Sequence, residues 1–280
     1  MEIFRTVRLL RAWSRAAHKE EKIVGLVPTM GALHAGHASL IRQARSRCDL
    51  VAVSIFVNPT QFGPSEDYAR YPRTFDADCA MAQAEGADVI FAPSVEEMYP
   101  DGATTFVDVE DLSNRLDGQS RPGHFRGVAT VVTKLFVTAE ADFAFFGQKD
   151  AAQVSVLRRM TADLRLSTEI VVCPIVREAD GLALSSRNVY LSVQQRRQAL
   201  ALSRALGVVE SLAGRGRRDR EELIEAARAV LGAEPEVRVD YLALVDWATL
   251  LPVETAARGA LFAVAAWVGE TRLIDNTILS

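Results

Sequence analysis

The feature that most constrains this chain is an alternation of short apolar runs with helical patterns through its first two-thirds. Ile23–Pro28 (IVGLVP) reads as a buried strand and Ala38–Arg47 as a helix with Leu40, Ile41 and Ala44 on one face. Leu50–Val57 is the next strand, rich in β-branched residues. Asp76–Glu85 is helical, Gly86 stops it, and Asp88–Ala92 returns to strand. Thr104–Val109 reads as a further short strand, Val128–Thr138 as a helix, Phe143–Phe146 as a strand, Ala151–Leu164 as a helix and Glu169–Val176 as a strand. Strands that alternate with helices pair in parallel through crossover helices, so the expected class is α/β, a doubly wound sheet covered on both faces. The pattern changes near Val176. A long amphipathic helix, Ser192–Leu212, is followed by a polar turn (GRGRRD, Gly214–Asp219), a second helix over Arg220–Leu231, and strands at Arg238–Leu244, Leu261–Val268 and Thr271–Leu279. Helices followed by consecutive strands predict a smaller α+β domain. The expected division is residues 1–175 and 176–280.

Composition removes several function classes. Apolar residues make up 49% and charged residues 24%, so the chain can bury a core rather than stay disordered. The formal charge of −4 lacks the basic footprint of a protein that binds nucleic acid through phosphates, and no nucleic-acid partner is expected. Three separated cysteines, Cys48, Cys79 and Cys173, make no CxxC pair and suggest reduced, buried thiols rather than disulfides or a zinc ribbon. Charges at Glu2, Arg5, Arg8, Arg11, Arg15 and Lys19 interrupt the apolar stretches a signal peptide would need. The most apolar run, Ala260–Val268, is about half the roughly 20 residues of a membrane helix. A soluble cytoplasmic protein is expected.

The segment leaving the first predicted strand, Pro28–His37 (PTMGALHAGH), holds two glycines, two of the four histidines and a helix start. Open α/β sheets bind ligands at the carboxyl ends of their strands, and a helix N-terminus there favours phosphate. A histidine in that turn can hydrogen-bond phosphate oxygens and, if protonated, offset the charge on departing pyrophosphate. Gly36 leaves room for close approach to a nucleotide. Neither GxGxxG nor a GxxxxGK[ST] loop is present, and the chain has no histidine or cysteine cluster to complete a zinc site. Taken singly, His34 and His37 could be ordinary loop and cap residues; their spacing at a strand-to-helix turn favours function.

His-x-Gly-His at this place resembles the signature of the nucleotidyltransferase superfamily, with its Rossmann-like fold. The resemblance narrows on Pro28–His37, Val53–Gly63 (VSIFVNPTQFG), Tyr71–Thr74 (YPRT), Phe146–Gln153 (FGQKDAAQ), Val176–Leu191 (VREADGLALSSRNVYL) and Thr271–Asn276 (TRLIDN). Together, in this order, these blocks are similar to those of the pantothenate synthetase family. The resemblance implies ATP-dependent condensation of pantoate with β-alanine through a pantoyl adenylate, releasing pyrophosphate and AMP, as in an amide-forming ligase of coenzyme A biosynthesis.

It also implies roles. The ATP loop would be Met30, Gly31, Ala32, Leu33, His34, Ala35, Gly36 and His37, with His34 and His37 on the phosphates and His37 as proton donor. Gly147, Gln148, Lys149 and Asp150 would form a second ATP-binding turn, in which Lys149 neutralises phosphate charge and Asp150 either accepts from ribose or caps the following helix. Val176 would meet adenine through its backbone, and Leu184, Ser185, Ser186 and Arg187 would bind the outer phosphates. Pantoate would lie on Gln61, Gln153 and Met30, with Gln61 also serving β-alanine and Phe62 adding an apolar wall. Magnesium is expected with ATP; Asp78 matches an acidic family position that could hold it, directly or through water, Asp76 could add a second carboxylate, and exposed helix carboxylates are the alternative reading, so the ligand stays open. Arg121, His124 and Arg126 form a basic loop that could close over ligands or simply lie on the surface. A homodimer is implied. Two alternatives remain: another His-x-Gly-His nucleotidyltransferase that makes a stable nucleotide-linked product, and a non-catalytic nucleotide-binding regulator.

Overall fold

The computed structural model describes residues 1–64 and 66–280. Six strands form one parallel sheet: β1 (Glu2–Phe4), β2 (Val24–Thr29), β3 (Leu50–Ile55), β4 (Val89–Phe91), β5 (Phe143–Gly147) and β6 (Glu169–Cys173), in the order β1-β4-β3-β2-β5-β6. Helices α1 (Val7–Lys19), α2 (Ala35–Arg47), α3 (Phe75–Ala84), α4 (Val95–Met98), α5 (Asp117–Ser120), α6 (His124–Ala139) and α7 (Ala151–Asp163) connect and cover it. The chain steps outward from β2 through β3 to β4, then crosses back to lay β5 and β6 on the other flank. Strand order therefore reverses beside β2, and the turns that leave β2 and β5 open side by side at the carboxyl edge. That reversal creates the crevice in which such sheets bind ligands.

Both faces of the sheet are buried, as parallel strands require. Leu26, Ala52 and Phe91 face a core shared with α1, α6 and α7, whereas Val27, Val51, Val53, Ile90 and Phe145 face a second core under α2 and α3. The remaining chain forms α8 (Val193–Gly214), α9 (Arg220–Gly232) and an antiparallel sheet of β7 (Val237–Val245), β8 (Leu261–Val268) and β9 (Thr271–Ile278). Ser192 and Gln195 close a reciprocal capping box at the start of α8. In β8, Leu261 and Ala263 join the core of the large sheet while Phe262, Val264, Ala266 and Val268 pack under α8 and α9. Burial on both faces explains the unbroken apolar run Ala260–Val268. Among the described residues, no helix is long and apolar enough to cross a membrane.

Three readings need correction. Thr104–Val109 is not a strand: the Val107 N–H donates to Thr130 Oγ1 at 2.9 Å, so a side chain of α6 holds this segment in place of a ladder. The strand read as Glu169–Val176 stops at Cys173, because Pro174 has no N–H to continue the pairing. The amino-terminal residues, weighed only for a signal peptide, form β1 and α1; α1 is capped by Thr6 and buries Leu10, Ser14 and Ala17 on one helical face.

Candidate active site

The turn after β2 enters left-handed space at two consecutive residues, Gly31 (φ 82°) and Ala32 (φ 49°). Glycine takes that conformation freely and alanine does not. The compensation comes from Asp78 in α3, whose carboxylate accepts from the Ala32 N–H (3.0 Å), the Leu33 N–H (2.8 Å) and the Thr74 hydroxyl (3.0 Å). Asp78 is 2% exposed and does not line the cleft. From sequence Asp78 is expected on magnesium; in the structure its carboxylate faces the underside of the loop and props it.

His34 ends this turn as the N-cap of α2. The Gly36 N–H donates to His34 Nδ1 (3.1 Å) and the His34 N–H donates to His37 Nδ1 (3.3 Å), a capping box made of two imidazoles with ring centroids 4.2 Å apart. An Nδ1 that accepts carries no proton, so each neutral ring must hold its hydrogen on Nε2. Burial, and after it the positive Lys149, pull the His34 pKa down to about 4. Burial, then His34 and Lys149, pull that of His37 down to about 3. Both rings are neutral Nε2–H donors at pH 7, not the imidazolium considered from sequence. Gly36 has a second reason to be glycine, since a Cβ there would lie 2.8 Å from His34 Cε1 and 2.9 Å from Nδ1. The small residue lets the imidazole fold back over its own helix.

Met30, His34, Gly36 and His37 form one wall of a cleft of about 240 Å³. Gly31, Ala32, Leu33 and Ala35, also expected on ATP, do not line it and only carry the backbone between the lining residues. Across the switch point, Gly147, Lys149 and Asp150 contribute from the turn after β5, with Gln153 from the first turn of α7. The Lys149 ammonium is 3.7 Å from Asp150. Asp150 makes no side-chain cap to α7, which removes its structural alternative. Gln148 does not line the cleft; its Nε2 donates to Asn276 Oδ1 in β9 at 3.2 Å.

Val176, Leu184, Ser185, Ser186 and Arg187 close the far side. Leu184 N–H donates to Val176 O at 3.0 Å, which ties the serine turn to the end of the parallel sheet. Arg187 is engaged by Asp67, Nη2 to Oδ1 at 2.9 Å and Nε to Oδ2 at 3.1 Å, and Ser186 lies 3.3 Å from the Tyr71 hydroxyl. The loop of Arg121 and His124 also reaches the cleft, and Arg121 forms a two-pronged pair with Glu66, both contacts 2.7 Å. Arg126 lies instead over the Phe106 ring.

At the inner end, Gln61 is 8% exposed. Its Oε1 accepts from Asn58 Nδ2 (3.1 Å), its Nε2 donates to Met30 Sδ (2.9 Å), and its carbonyl accepts from His124 Nδ1 (2.8 Å). The apolar wall here is Phe56, Phe146 and the α6 face of Val128, Val131, Val132 and Leu135. Phe62, expected in that wall, packs edge-on against Tyr68 and Tyr71 instead. The i, i+3, i+4, i+7 spacing of the α6 residues was legible, but periodicity does not say which apolar face meets ligand. The Glu66 and Asp67 pairings carried no sequence signal.

Imidazole donors and an ammonium group at the switch point of a parallel sheet, beside a pocket lined by aliphatic and amide side chains, define a nucleotide-using α/β enzyme of the His-x-Gly-His type. The comparisons narrow this. The pantoate-beta-alanine ligase family matches residues 2–278, and the chain belongs to that family. It is 58% identical over 279 residues to the pantothenate synthetase of Koribacter versatilis, covering 100% of this chain and 96% of that one. Its structure is similar to the crystal structure of pantothenate synthetase from Thermus thermophilus, with 49% identity, a TM-score of 0.94 and 99% of each chain covered. It is also similar to the pantoate-beta-alanine ligase of Francisella tularensis complexed with beta-gamma ATP and beta-alanine, at 33% identity and a TM-score of 0.82, covering 99% of this chain and 97% of that one.

Proposed function

We propose that this chain is the AMP-forming ligase that joins (R)-pantoate to β-alanine with the cleavage of ATP. One pantoate carboxylate oxygen attacks the α-phosphorus, the bond to the bridging oxygen breaks, and pyrophosphate departs. The amine of β-alanine then attacks the acyl carbon of the pantoyl adenylate. The carbon–oxygen bond breaks, AMP leaves with the attacking oxygen, and the amine loses a proton. The observation that carries this reading is the imidazole capping box. It fixes two neutral Nε2–H donors on the same cleft wall, opposite Lys149, without the cost of burying two further cations.

Charge on the phosphates then grows against preset donors and one ammonium group. No proton transfer from His37 is needed, and its low pKa favours electrostatic stabilisation over acid catalysis. Gln153 and Gln61 hold the hydroxyls and carboxylate of pantoate, with Met30 and the α6 face against its gem-dimethyl group. Gln61 also meets β-alanine. Val176 meets adenine, Asp150 accepts from ribose, and Leu184–Arg187 meet the outer phosphates, where Arg187 exchanges Asp67 for phosphate oxygens. The apolar pocket beside Gln61 favours this reading over a regulator that binds only nucleotide.

Magnesium enters with the triphosphate. Among the described residues no group of three or more histidine, cysteine or acidic side chains could hold a metal, and Asp150 is the only carboxylate among the cleft-lining residues. That donor set suits an ion carried by phosphates and water, not one held in a protein cage. The use of ATP favours a cytoplasmic reaction. A homodimer would cover Ile170–Val172 of the edge strand β6, which are only half-buried in one chain. Exchange of labelled pyrophosphate into ATP, measured with pantoate but no β-alanine, tests the scheme: exchange is expected, and strict dependence on β-alanine would refute it.

A further inference from the structure

We infer that Asn276, in the last strand, is a positioning residue for Lys149; this rests on the reading of Lys149 as a phosphate-binding group. Asn276 is 3% exposed and lies in β9, outside the parallel sheet. Its Nδ2 donates to two consecutive carbonyls, Gln148 O and Lys149 O, each at 3.0 Å, and its Oδ1 accepts from the Gln148 side chain at 3.2 Å. All of its side-chain hydrogen-bonding groups are thus engaged by one turn of three residues, Gln148–Asp150. That turn has no side-chain cap of its own, and neither does the helix that follows it. A buried amide with two donors is the one small side chain that can bracket two successive carbonyls and answer an amide in return.

The neighbouring residue does the same on the opposite side of the cleft. Asp275, also 3% exposed, receives Arg177 Nη1 at Oδ2 (2.6 Å) and Nη2 at Oδ1 (3.0 Å). Arg177 follows Val176 and pairs with Ala183 across a short hairpin that leads into Leu184–Arg187. The Asn276 N–H donates to Asp275 Oδ1 at 2.8 Å. Two adjacent residues of β9 therefore grip the turn that carries Lys149 and the hairpin that carries the serine turn. Their spacing along one rigid strand sets how far apart the two phosphate-binding segments stand. Displacing a reacting group by about 1 Å can cost about a hundredfold in rate.

The test is a double-mutant cycle in the intact enzyme, read as the rate of pyrophosphate exchange with ATP and pantoate. Asn276→Ala and the isosteric Asn276→Asp each lower kcat for adenylation by about a hundredfold. KM for pantoate stays within a few-fold, because Gln61 and Gln153 are untouched. In a Lys149→Ala background, Asn276→Ala lowers the rate by no more than a few-fold, since the group it positions is gone. Full additivity of the two losses would overturn the inference, as would a normal rate for Asn276→Ala, or failure of both Asn276 variants to fold, which would make the residue purely structural. A near-normal rate for Lys149→Ala alone would instead overturn the role of Lys149, so the two failures are separable.

Discussion

Replacing Asp78 by asparagine separates a strut from a metal ligand. The carboxylate accepts three hydrogen bonds, two of them from the N–H groups of Ala32 and Leu33, in a loop whose backbone is held in left-handed space. An asparagine keeps one oxygen and turns an NH2 toward the other partners. One backbone N–H is then left facing a donor, and the surviving bonds lose their charge assistance. A hydrogen bond to a charged group contributes about 1.5–3 kcal/mol, and an orphaned buried donor costs about 1–3 kcal/mol. Allowing for partial relaxation, the substitution should destabilise the fold by about 3 kcal/mol. For a chain of this size that lowers Tm by about 6–12 °C. Thermal unfolding followed by circular dichroism measures this directly. Adenylation by the folded fraction should fall at least tenfold, because Met30 and His34 lose their support, while the magnesium concentration for half-maximal rate stays unchanged. A variant with wild-type Tm that needs much more magnesium would refute the strut and restore the metal ligand.

Three further outcomes follow from the same geometry. Gly127→Ala places a Cβ hard against Thr60 O and 2.7 Å from Gln61 Cα, so it should push the Pro59–Gln61 turn outward and raise KM for pantoate more than KM for ATP; equal effects would argue against a pantoate-side role for Gln61. Stability should fall on acidification from pH 7 to 5.5. The folded pKa values of His34, His37 and His124 lie at about 4, 3 and 3, so the unfolded chain, titrating near 6.5, binds the additional protons and gains on the native state by about 1 kcal/mol per histidine. Denaturant melts at the two pH values check the sign, and unchanged stability would contradict the buried neutral rings. Gly36→Ala should displace the His34 imidazole, lower adenylation by tenfold or more and leave Tm within a few degrees, as read by pyrophosphate exchange and calorimetry.

The parallel sheet was legible because its internal strands are short apolar runs, with β-branched residues in β2, β3 and β4 and aromatic ones in β5, and Val24–Thr29 and Leu50–Ile55 fall within two residues of the sequence reading. α2 begins three residues earlier than its apolar pattern suggests, because its cap is a histidine and not one of the usual small polar residues. β1 has three residues and finds its partner, β4, across more than eighty positions, so no local periodicity marks it. The motif blocks located the cleft, and His34, His37, Lys149, Gln61 and Arg187 all reach it. What the blocks withheld was orientation. Whether the carboxylate of Asp78 points at a metal or under a loop, and whether Phe62 or Phe56 faces substrate, depends on tertiary neighbours. The state of the two histidines was equally hidden, since their neutrality follows from burial and their tautomer from backbone N–H groups that meet the rings only once the capping box has formed.

The most direct measurement follows an oxygen atom. With pantoate carrying ¹⁸O in both carboxylate positions, mass spectrometry of the products should find one labelled oxygen in the phosphate of AMP and one kept in the amide product. Unlabelled AMP, with the label retained in the amide or lost to inorganic phosphate, would show that pantoate is not activated at the α-phosphorus and would contradict the account.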